Sequence, residues 1–120
     1  MRLKSMDVNL ALTAPLIALC RAFESTAETE LVITSGNDGK HKENSLHYKN
    51  LAIDIRVKNQ PGYDYSNDSN FEQTRIVIDN WIRRAMRWIG EYTGFSPEEF
   101  DIVFGDSGHK NHIHAEYDPR

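Results

Sequence analysis

Five histidines fall into two clusters, His41 and His47 in "GKHKENSLHYKNLAID" and His109, His112 and His114 in "GHKNHIHAEYD". Imidazole is the side chain best suited to hold a transition metal or to carry a proton near neutral pH. In "HIHAEYD" the two histidines are separated by one residue. On a strand that spacing sends both rings to one face and Ile113 to the other. Asp54 sits between Ile53 and Ile55 and is offset from the apolar side in the same way. If the two segments share a sheet, Asp54, His112 and His114 converge, with His47 reaching over from the preceding loop. Two histidines and a carboxylate with a fourth position open make a catalytic zinc site. Singly, each has a plainer reading: a loop histidine in water, or a strand aspartate that stabilises the fold. Two histidines on one strand face have little structural purpose, which favours the metal reading.

The elements that must position these groups follow from local pattern. Thr13 caps a helix with Pro15 in its first turn, and Leu16, Leu19, Ala22 and Phe23 recur at helical spacing to about Ala27. "ELVITS" (30–35) and "LAIDIRV" (51–57) read as strands around a polar loop, and "KNQPGYDYSNDSN" as a surface loop. Ser69 to Glu72 fits a capping box. It opens the longest helix, with Phe71, Ile78, Trp81, Ile82, Ala85, Trp88, Ile89 and Tyr92 on one face and Gly94 at its stop. Arg75, Arg83, Arg84 and Arg87 fall mostly off that face, as a solvated surface. "FDIVFG" and "HIHAEYD" form a hairpin across "DSGHKN". The expected fold class is α+β, with two main helices on a small, largely antiparallel sheet.

A chain of 120 residues is a single domain, 1–120, with one core. Hydrophobic residues at 39% and charged residues at 27% make it globular. A net charge of −4 gives no electrostatic case for nucleic acid. Cys20 is the single cysteine. It excludes an internal disulfide and reads as a small buried hydrophobe. The N-terminal apolar stretch is interrupted by Asp7, Asn9, Pro15 and Arg21 and is no signal peptide by pattern. Synthesis in the cytosol, no stable membrane association and a monomeric state are the expectations.

"SLHYKNLAID" resembles the SxHxxGxAxD motif of the M15-type zinc D,D-peptidases. These include D-alanyl-D-alanine carboxypeptidases and phage L-alanyl-D-glutamate endolysins, with the related Hedgehog-like fold. "NHIHAEYD" resembles their closing HxH element, and "LVITSG" their strand before the loop. The resemblance implies zinc as cofactor, His47, Asp54 and His114 as its ligands, and Ser45 and His41 on the substrate side. His41 reads equally well as a loop histidine in water. Asn50 stands at the motif glycine, and Asn is the residue that best tolerates the left-handed backbone glycine supplies there. Asn111 stands where many relatives hold the Asp or Glu general base, and an amide cannot take up and return a proton. His112 is then the leading candidate for that role, His109 the second and Asp106 a third.

The implied substrate is a peptidoglycan stem peptide. An enzyme of this kind without a secretory signal suits phage lysis, acting on the cell wall once released. The competing reading is a metal-containing binding module without catalysis; a phage structural component on an adopted peptidase fold is a third.

Overall fold

A computed structural model describes residues 1–5, 8, 13–36, 51–58, 60, 71–105 and 112–119. Helix α1 runs Ala14–Thr26, with Thr13 extended at its N-cap and Pro15 in the first turn. The threonine hydroxyl makes no cap hydrogen bond, so the pre-set φ of Pro15 and the apolar face define the start. That face is Leu16, Leu19, Ala22 and Phe23, each at most 1% exposed.

Helix α2 runs Phe71–Tyr92. Ile78, Trp81, Ala85 and Ile89 follow the three-and-four spacing of a buried stripe and are all buried. The four arginines lie on the exposed side, as their off-stripe spacing predicts. Trp81 fastens the two helices together. Its ring meets Phe23 edge-on at 5.3 Å. Its indole N–H donates to the Phe23 carbonyl at 3.2 Å and to the Thr26 hydroxyl at 3.1 Å.

Both ends of α2 bear on the expectations. The capping box begins at residues outside those described, as does the Phe71 side chain. At the other end, Tyr92 is 68% exposed and leans on Trp88 rather than entering the core. Nor does a left-handed glycine end the helix: among the described glycines only Gly105 has a positive φ. Thr93 closes it instead. Its hydroxyl donates to the Ile89 carbonyl at 2.7 Å and accepts the Phe95 N–H at 3.1 Å. The hydroxyl thus adds to the Thr93 N–H on the Ile89 carbonyl and satisfies the Phe95 N–H past the end of the helix.

The five strands are β1 (Arg2–Leu3), β2 (Val32–Ser35), β3 (Ala52–Arg56), β4 (Phe100–Val103) and β5 (His112–Tyr117). Their order across the sheet is β1-β2-β3-β5-β4. β1 and β2 are parallel and the other pairs antiparallel. The architecture is α+β, two helices on a largely antiparallel sheet. The short lead expected before α1 is itself an edge strand. It is held by backbone bonds from Arg2 N–H to the Leu31 carbonyl and from Lys4 N–H to the Ile33 carbonyl, both 2.8 Å. Two exposed residues carry no alternation, so their pairing is invisible locally.

The core lies between the helices and one face of the sheet. Ile33, Ile53, Ile55, Ile113 and Ala115 point into it and have no exposed surface. Burying one such isoleucine contributes about 1.5–3 kcal/mol. Among the described residues, no helix is long and apolar enough to cross a membrane.

Candidate metal centre

Between β3 and β5, five residue pairs stand in register, from Ala52↔Glu116 to Arg56↔His112. In the middle, Ile53↔Ala115 and Ile55↔Ile113 face the core, so the intervening pair Asp54↔His114 faces away from it. Side chains directly opposed in this way lie close enough to interact. The His114 Nδ1 is 3.2 Å from the Asp54 Oδ1. One pair along the same face, His112 brings its Nε2 to 4.0 Å from that oxygen. The side chains of Asp54, His112 and His114 are 16%, 26% and 17% exposed, sheltered but reachable.

β2 contributes an irregularity at this point. Ile33 pairs with Ile55, yet Ser35 pairs with Asp54, so β2 has one residue more than β3 between the two pairs. Such a bulge bends the strand and raises its twist, and bulges recur beside functional sites. The Thr34 hydroxyl donates to the Asp54 carbonyl at 3.4 Å, tying the irregularity to the backbone of the aspartate.

The electrostatics of this face favour a cation. Among the described residues, alternation along β3, β4 and β5 places Asp54, Asp101 and Glu116 with the two histidines and Arg56. The hydrogen bond to Asp54 raises the His114 pKa above its usual value; the charges of Asp54 and Glu116 reinforce this, while burial opposes it.

Asp54 and His114 are donors of the types zinc takes, and they meet in a hydrogen bond of 3.2 Å. Among the described residues no group of three or more His, Cys, Asp or Glu side chains is arranged to hold a metal. The sheet supplies a pair, and a third donor must come from elsewhere. His47, the expected third ligand, lies outside the described residues, as do His41, Ser45, Asn50, Asp106, His109 and Asn111. Cys20, on the buried face of α1, lies in the core and takes no part.

Two residues of this face were not singled out from the sequence. Glu116 follows His114 by two positions and places its Oε1 3.3 Å from the His114 Nε2. Arg56 follows Asp54 by two and pairs with His112. The alternation that linked His112 to His114, carried one step further on each strand, identifies both.

No protein-family model, curated protein or solved structure matches the chain.

Proposed function

We propose that the protein is a zinc-dependent peptidase acting on peptidoglycan stem peptides, of the D-alanyl-D-alanine carboxypeptidase or L-alanyl-D-glutamate endopeptidase type. The observation that carries this reading is the cross-strand pair, with the Asp54 oxygen and His114 Nδ1 at 3.2 Å on a face rich in carboxylates. It is supported by the likeness of "SLHYKNLAID" and "NHIHAEYD" to the two motifs of the M15-type peptidases.

Asp54, His114 and His47, which precedes β3 in the sequence, would hold the metal. Zinc bound there supplies Lewis acidity, polarising a peptide carbonyl and activating water at neutral pH. The chain's own residues do the rest. Asp54 keeps a negative charge at the floor of the site, fixed by its place between two core isoleucines. His112 is more exposed than His114 and stands beside the same carboxylate, so its imidazole can take a proton from water and return it to the leaving amine. His109, three residues before β5 in the sequence, is the second candidate. Ser45 and His41 belong to the substrate side of the same reading.

Elemental analysis of the purified chain is expected to give about one zinc per molecule, and Asp54→Ala or His47→Ala to abolish it. Incubation with purified peptidoglycan should release peptide fragments or D-alanine, and a chelator should stop the release. Zinc at full occupancy in both variants would overturn the metal assignment. Zinc bound without any release would favour the non-catalytic binding module, the reading that Asn111 supports by standing where a carboxylate base is expected.

A further inference from the structure

The ring of His114 lies between two carboxylates, with Nδ1 3.2 Å from the Asp54 Oδ1 and Nε2 3.3 Å from the Glu116 Oε1. An imidazole that binds a metal uses one nitrogen as ligand, and what the other nitrogen bonds to decides which one. We propose that Glu116 is the positioning residue of this site: it accepts the His114 Nε2–H and so commits Nδ1, on the Asp54 side, to the metal. This rests on the zinc reading above and adds to it the orientation of one ligand and the residue that sets it.

The surroundings of Glu116 favour this role. Its cross-strand neighbours are Ala52 on β3 and Asp101 on β4. Alanine offers no side-chain donor, and a like charge directly opposite is unfavourable. Turning toward His114 relieves both problems at once. The glutamate sits at strand spacing from the histidine, so the backbone of β5 fixes the pair without help from any loop.

The same geometry separates Glu116 from a general base. It approaches the ring on the nitrogen away from Asp54, with the imidazole between its carboxylate and the metal side. Glu116 acts through His114 and needs no contact with substrate.

The test reads metal affinity and ring tautomer. Zinc competition with a chromophoric chelator is expected to show Glu116→Ala weakened by about 10–100-fold. Glu116→Gln, whose amide oxygen still accepts the Nε2–H, should be weakened by less. Nitrogen NMR of the zinc-loaded wild type should show the His114 Nε2 protonated and Nδ1 coordinated. Unchanged affinity in a folded Glu116→Ala chain, or Nε2 as the coordinated atom, would overturn the proposal and leave the zinc reading standing. A wild-type chain that takes up no zinc would remove both.

Discussion

Along β3 and β5 each step of one residue crosses from one environment to another. Ile53, Ile55, Ile113 and Ala115 have no exposed surface and pack under the helices. Asp54, His112, His114 and Glu116, their immediate neighbours in the chain, line the opposite face and interact with one another there. The isoleucines fix the register of the strands, since a slip by one residue would bury the charges and expose the core. That register in turn sets Asp54 against His114. The chemistry of one face is therefore held by the packing of the other, while the side chains of the two faces remain separable by mutation.

The largest effect that would sharpen this division is expected at His112. His112→Ala should keep its zinc and its fold and lose about 10²–10⁴-fold in the rate of hydrolysis, the usual contribution of a positioned acid–base group. Turnover of a murein peptide by the loaded variant measures it. Undiminished turnover would pass the role to His109 or Asp106.

Next in size is the reciprocal experiment one residue from Asp54. Ile55→Ala removes a fully buried side chain and should destabilise the protein by about 2–5 kcal/mol in denaturant melts. Its folded fraction should still bind zinc with the wild-type stoichiometry, the reverse of Asp54→Ala. If both substitutions cost similar stability and both lost the metal, the two faces would not be independent.

Much of this division was legible in the residue pattern. Period-two alternation placed Ile113 opposite His112 and His114 in orientation, and helical spacing found the buried stripes of both helices. Local pattern does not encode pairing between segments some sixty residues apart, so the convergence of Asp54 with His114 depended on a shared sheet. The extra residue of β2 opposite Asp54 leaves no mark in composition. Helical spacing places Tyr92 on the apolar stripe, but at the end of α2 it leans on Trp88 and stays exposed. A glycine stop is visible in the residue types, whereas the Thr93 hydroxyl that closes the helix depends on its orientation. Glu116 and Arg56 were within reach of the same alternation that found their neighbours.

The smallest effect tests the core face from within, through a group that titrates there. Burial pushes the Cys20 thiol from 9.0 up to about 11, with the charge of Glu24 adding to the shift and the N-terminal amine opposing it. The cause is desolvation: a thiolate loses its water inside the apolar layer, so the folded state holds the proton more tightly than the unfolded chain. A folded pKa raised in this way gives stability that is fully present below about pH 9 and is lost as pH rises toward 11. The difference in stability between wild type and Cys20→Ala should thus be constant from pH 6 to 8 and shift against the wild type by about 2–3 kcal/mol in strong alkali. Other titrating groups are common to both chains and cancel in that comparison. Denaturant melts of the pair across this range measure it. A difference that stayed flat to pH 11 would mean that the thiol is hydrated in the folded protein and that the layer under α1 is open to water.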